Sequence, residues 1–366
     1  RLRRIVQVKL IAYLLPQFHP IPENDRSWGK GFTEWTNTRK AKPLYAGHEQ
    51  PREPLHDYYY DLTSPEAREW QASLAARFGI YGFCYYHYWF KGKKLLQQPM
   101  EEILSMGTPN FPFCFSWANE SWTKKWDGGD KDIIVEQQYG TESDWKEHFN
   151  YLLNFFLDPR YIRIDGKPVF LIYRPGNMPC WEEMRRCWNR WAEESGLPGL
   201  YWIRTLGGFP VPKQHGFDAS VEFEPHYTFA TSPNNIQWRK FDINNGYHHV
   251  FDYDQVWNLI LNRSRLREGE PIMPGAFVGW DNTPRLKSGG QSCVGGSPEK
   301  FGWYLSRQIR RAAEVYKSDF LFINAWNEWA EGTYLEPDKR HGDLYLQELR
   351  KAAEEAGSQG SGPRIL

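Results

Sequence analysis

No apolar run in this 366-residue chain approaches the roughly 20 residues that span a bilayer, so no membrane span is expected. Charge of one sign is also missing. Lys+Arg and Asp+Glu number 45 each, which leaves nothing to draw nucleic acid or an acidic membrane surface. Cysteine is scarce: there are five, an odd number without framework spacing. Cys84 and Cys114 fall inside apolar runs and read as buried free thiols. No CxxC or paired Cys/His spacing offers a structural zinc site. The phosphate cradles GxGxxG and GxxxxGK[ST] and the GxSxG nucleophile elbow are absent, and no cofactor or metal is expected. The opening RLRRIVQVKLIAYLLPQF is basic and then apolar, the order of an export signal, but Gln7 and Lys9 interrupt it and no small-residue cleavage site follows. It reads as the first strand. Free thiols favour the cytoplasm; a trimmed signal would place the protein in the periplasm or outside the cell.

Aromatic residues, by contrast, are abundant at 17%, with 18 Trp. Many lie in loop-like segments, which a core does not require. Short apolar or β-branched runs recur at 9–15, 80–86, 111–117, 168–173, 200–205, 219–223, 272–278 and 320–325. Most are continuous and not alternating, as in a parallel sheet covered on both faces. Helical patterns lie between many of them. Ser64-Pro65 and Ser297-Pro298 read as helix starts, Thr141 as a cap, and Gly79 and Gly196 as stops. This alternation predicts a single (β/α)8 TIM barrel over 1–356, with a flexible tail at 357–366. Helix-to-strand connections are short. Strand-to-helix connections are long, at about 16–64, 87–98, 118–141, 225–252 and 279–297. In such a barrel they all emerge at the C-terminal face, so a deep cleft is expected there.

The residues that follow each strand give that face its chemistry. Glu34 and Trp35 follow the first strand, Tyr86 and His87 end the second, and Trp117, Asn119 and Glu120 end the third. Tyr173 ends the fourth, Glu222 and His226 belong to the sixth, Trp280 follows the seventh, and Asn327, Glu328 and Glu331 follow the eighth. Rings stack on the C–H faces of sugars while amides and carboxylates bond the hydroxyl rim, so a carbohydrate substrate is the expected partner. Glycoside cleavage needs two carboxyl groups, one kept protonated by apolar surroundings. Glu328 and Glu331, beside Trp326 and Trp329, fit that need and are the expected catalytic pair. Ion pairing with Arg174 or Arg204 is the structural alternative. The other acids read as substrate-binding or ion-paired. His19, His87 and His226 form a candidate metal set, but HxH and HExxH spacings are missing, so hydrogen-bonding roles are expected.

The stretches AYLLPQFHPIPENDRSWGKGFTEWTN, YGFCYYHYWF, FCFSWANESWTKKWDG and WNEWAEGTYLEP together resemble the bacterial glycosyltransferase-WbsX-like proteins, relatives of the glycoside hydrolase family 99 endo-α-mannosidases. The resemblance covers about residues 9–350. It implies a (β/α)8 barrel and retaining cleavage of an α-linked glycan through an anhydro-sugar intermediate. It also implies Glu328 as the base toward the sugar 2-hydroxyl and Glu331 as the acid. Ala330 stands where the hydrolases carry His, which separates mannose specificity from the match. The WbsX name implies a rival, a glycosyltransferase of O-antigen-type polysaccharide assembly. A transferase that holds a sugar diphosphate calls for a DxD-like metal motif or a basic phosphate pocket, and the one loose candidate, Asp127–Asp130, departs from the DxD spacing. A non-catalytic glycan-binding module is a third class, which would not need both glutamates.

Overall fold

The computed structural model describes residues 7–124, 132–210, 215–264 and 269–358; Asp127, Asp130 and residues 359–366 lie outside these. Its centre is a ring of parallel strands: β1 (Lys9–Leu14), β2 (Gly82–Phe90), β3 (Phe113–Trp117), β4 (Lys167–Ile172), β5 (Tyr201–Leu206), β6 (Ala219–Glu222), β7 (Ile272–Met273 and Gly275–Phe277) and β8 (Phe320–Asn324). Pro274 splits β7, because proline cannot donate to the ladder. The first half pairs with β6 (Ser220 beside Ile272) and the second with β8 (Ala276 beside Ile323). The split strand therefore bridges the last gap, and β1 pairs with both β8 and β2. This is the expected TIM barrel.

Helices α1 (Pro65–Phe78), α2 (Gln98–Met106), α3 (Glu142–Phe156), α4 (Trp181–Glu194), α5 (Tyr253–Asn262), α6 (Pro298–Arg311) and α7 (Leu344–Ser358) cover the ring. Among the described residues no helix joins β5 to β6. The starts follow the sequence cues: Ser64 accepts from the Ala67 N–H and Ser297 from the Lys300 N–H at 3.2 Å. Ser297→Ala should lower the unfolding free energy by about 1 kcal/mol in urea titration, with Ser297→Gly lowering it less. Helix α5 was not anticipated. Its start is capped by Asp252, and its apolar face is short (Val256, Trp257, Ile260).

Both faces of the strands are buried. All nine residues of β2 are buried, with Tyr86 directed to the barrel axis against Tyr13 and His87 directed outward against α3. The long loops gather at the C-terminal end. The loop after β6 folds into a hairpin (Arg239–Ile243 with Gly246–Asp252) whose second strand pairs with Gln291–Val294 of the next loop. The loop after β8 makes a tight hairpin, Asn327–Glu328 against Thr333–Tyr334, with a 3-10 turn at Trp329–Glu331. Gly332 closes that turn at φ 62°, where a Cβ would stand 2.8 Å from the Asp281 backbone nitrogen.

Candidate active site

The tight hairpin after β8 delivers Glu328 and Glu331 to the floor of a cleft of ≈ 890 Å³, open to solvent at the barrel mouth. Seven of the eight strands contribute to its lining, including Leu15 after β1, Tyr86 and Tyr88 of β2, Glu120 and Trp122 after β3, Tyr173 after β4, His226 after β6 and Arg285 after β7.

The two glutamates hydrogen-bond to each other. Burial first, then the Glu331 charge, holds the Glu328 carboxyl well above the usual range, so the unliganded pair keeps a proton there. Arg285 stands among three acids. It donates to Glu34 at 2.6 Å and to Glu328 at 2.9 Å, and lies 3.2 Å from Glu331. Burial opposes its charge, but Glu331, Glu34 and Glu328 outweigh that and keep it protonated. Glu34 is fully buried, and one of its oxygens also accepts the Ala330 N–H at 3.2 Å. Burial raises its pKa, with Arg285 opposing. Tyr86, Tyr88 and Tyr173 are pushed up by burial and by nearby glutamates, and remain neutral hydroxyls able to donate or accept.

Tyr86, Glu120, Tyr173, His226, Glu328 and Glu331 thus share one cleft, as the sequence suggested. Glu120 is ion-paired to Arg174 at 2.6 Å. Arg204 pairs with Glu270, so neither predicted arginine partners the catalytic candidates.

Other expected site residues lie elsewhere, each for a physical reason. His87 and Trp117 are register partners on β2 and β3 and both point out of the barrel. His87 meets His148 through ring nitrogens 2.8 Å apart, and Trp117 packs edge-on against His148. His87 therefore cannot join His19 and His226 in one centre. Trp35 is buried among Phe18, Tyr60 and Trp329, with its indole N–H on the Tyr60 carbonyl. Glu222 turns outward to Arg263 and Tyr316. Asn119 clamps the Arg174 backbone, and Asn327 clamps both backbone groups of Leu15. Trp280 is buried behind His226, ring edge to face at 4.6 Å. Tyr88 and Trp122, which the sequence placed at the ends of the second and third strands, also line the cleft, whereas sequence reasoning missed Arg285. Arg285 carried one signal, as a basic residue in the long loop after β7.

Burial pushes His87 down to about 3 and His148 well below its ordinary value. Unfolded histidines take up protons below about pH 6.5, whereas the folded pair refuses them, so stability is lost as pH falls from there toward about 3. Unfolding free energies at about pH 7.5 and about pH 5 should fall more for the wild type than for His87→Phe/His148→Phe. Equal falls would show that the pair is charged in the fold.

Comparison with known proteins places this architecture. The glycosyltransferase WbsX family matches residues 10–349. The chain belongs to the WbsX family. WxcX of Xanthomonas campestris pv. campestris strain B100 is 38% identical over 348 residues, 94% of this chain but 49% of WxcX. The chain thus spans about half the length of that relative. In structure, this WbsX barrel is similar to the family 99 endo-α-mannosidase of Bacteroides thetaiotaomicron, with a TM-score of 0.55, 14% identity, and 96% and 98% of the two chains covered. It is also similar to a glycoside hydrolase-like protein, with a TM-score of 0.57, 14% identity and 94% of each chain covered. These likenesses are of fold, the (β/α)8 barrel. Among the described residues no helix is long and apolar enough to cross a membrane.

Proposed function

We propose that the barrel, residues 1–356, is a retaining glycoside hydrolase acting on an α-linked oligo- or polysaccharide, with Glu328 and Glu331 as its catalytic pair. The observation that carries this reading is the hydrogen-bonded pair at the floor of a tyrosine- and tryptophan-lined cleft. Inverting enzymes hold their carboxyls roughly 6.5–9.5 Å apart to admit a water between them, and a hydrogen-bonded pair leaves no such space. Retention through the substrate's own 2-hydroxyl fits the closeness. One carboxylate takes the 2-hydroxyl proton as O2 attacks C1, and the other carboxyl gives its proton to the departing oxygen. Water then opens the anhydro sugar, and both proton transfers reverse. With Glu328 as base and Glu331 as acid, the resting proton must pass from Glu328 to Glu331 before chemistry. Their mutual hydrogen bond supplies the route in one step.

The test is a hydrolysis screen of wild type and Glu331→Gln against α-linked bacterial and yeast polysaccharides, reading released sugar by chromatography. Release by wild type alone supports the reading. The family description favours a second reading, a glycosyltransferase of polysaccharide assembly. No release from any glycan, with thermal stabilisation by a nucleotide sugar, would support it instead.

A further inference from the structure

Glu336 follows the catalytic turn, is 3% exposed, and has no cationic partner among the described residues. Four neutral groups donate to it. Tyr60 OH (2.7 Å) and the Trp329 indole N–H (2.9 Å) reach Oε1, while Gln71 Nε2 (3.0 Å) and the Trp326 indole N–H (3.0 Å) reach Oε2. We propose that Glu336 is a positioning residue: its carboxylate pins the two tryptophans on either side of Glu328 and so sets where the Glu328 carboxyl sits. This rests on the reading of Glu328 as catalytic.

The four donors differ in what they can do. An indole N–H only donates, whereas the Tyr60 hydroxyl and the Gln71 amide can reorient and accept. One tryptophan occupies each oxygen, so both sides of residue 336 must accept at once. A carboxylate does so; a glutamine cannot. Whichever way its amide is turned, an NH2 faces either Trp326 or Trp329. The chain between them is Asn327-Glu328, and Asn327 also donates to Tyr60 OH at 3.1 Å. The segment that carries Glu328 is therefore anchored before it, beside it and after it through one buried carboxyl group. Burial pushes the Glu336 carboxyl up to about 7 against the four donors, which favour its charged form. Such a group is costly to bury, and an apolar residue would stabilise the same site better unless the bonds themselves are needed.

The variant is Glu336→Gln in the full chain, with Tyr60→Phe as a milder second one that removes a single donor. The first readout needs no substrate: the Glu328 carboxyl is titrated by 13C NMR, assigned with Glu328→Gln, and the two indole N–H signals are assigned with Trp326→Phe and Trp329→Phe. Glu336→Gln should displace one indole signal and move the Glu328 midpoint by about half a pH unit or more, with Tyr60→Phe moving it the same way but less. On the polysaccharide hydrolysed in the screen, kcat should fall about 10- to 100-fold with KM changed less than about threefold. Should Glu336→Gln fail to fold, Tyr60→Phe carries the test alone. An unmoved Glu328 midpoint in a folded variant overturns the positioning role and leaves the hydrolase reading intact. Full activity in both Glu331→Gln and Glu328→Gln does the reverse.

Discussion

Glu331→Gln is expected to lower turnover by about three to four orders of magnitude while leaving the unfolding transition nearly in place. The glutamine keeps the shape and can still bond Glu328, but it has no proton to give the departing oxygen. Glu328→Gln should cost a similar factor for the opposite reason, because it cannot take the 2-hydroxyl proton. The difference lies in the leaving group. An activated aryl or fluoride glycoside needs little acid help, so it should restore much of the first step in Glu331→Gln and none of it in Glu328→Gln. Rescue of the wrong variant would exchange the two roles. The pH profile adds a sign. Wild type needs one proton on the pair, and burial and Glu331 raise the Glu328 pKa well above its ordinary value. Activity should therefore fall on the alkaline side as that proton is lost and on the acid side as the base is protonated, with the two limbs belonging to the pair jointly. If both single Gln variants stay fully active, the assignment is wrong.

Arg285→Met should be the most destabilising single change at the cleft, by about 3–5 kcal/mol near neutral pH. It removes the cation shared by Glu34, Glu328 and Glu331, two of which are almost wholly buried. Without it the folded pKa values of Glu34 and Glu328 rise further above their unfolded values. The penalty then grows as pH rises through the ordinary carboxylate range and shrinks in acid, where the acids are neutral in both states. Urea unfolding of wild type and Arg285→Met from about pH 4.5 to about pH 8 checks this. A difference that stays constant across the range would mean that packing and not charge is what Arg285 supplies. Arg285→Lys should recover only part, since a single ammonium cannot reproduce the fork that reaches Glu34, Glu328 and Glu331.

The barrel was legible because parallel strands buried on both faces read as continuous apolar runs, and because Ser-Pro and glycine punctuate the helices between them. The ends were less so. The second run was expected to stop at residue 86, yet β2 continues to Phe90, held by a return strand at Lys93–Leu95. The run at 272–278 gave no warning that Pro274 would divide it between two neighbours. In the cleft, residue type was a good guide and direction was not. Asn119 and Asn327 look like sugar-binding amides, but each has its hydrogen bonds filled by backbone groups and a tyrosine hydroxyl. Arg285 was obscure because its three partners lie about 250 residues upstream and about 45 downstream, a closeness that only the closed ring creates.

If the proposed glycan-cleaving function holds, the two-sided burial of β2 decides how the cleft can be redirected to a new substrate. Successive letters of YYHYWF belong alternately to two vocabularies, one addressed to the ligand and one to the helical jacket. Tyr86 and Tyr88 line the cleft, and under the proposed function they are the positions to vary for specificity. Tyr85, His87 and Trp89 cannot, because they are committed to Phe113, His148 and Tyr151 behind the wall. A library that randomises the whole motif would lose most of its members to misfolding, whereas one confined to every second letter would explore substrate choice on an intact scaffold.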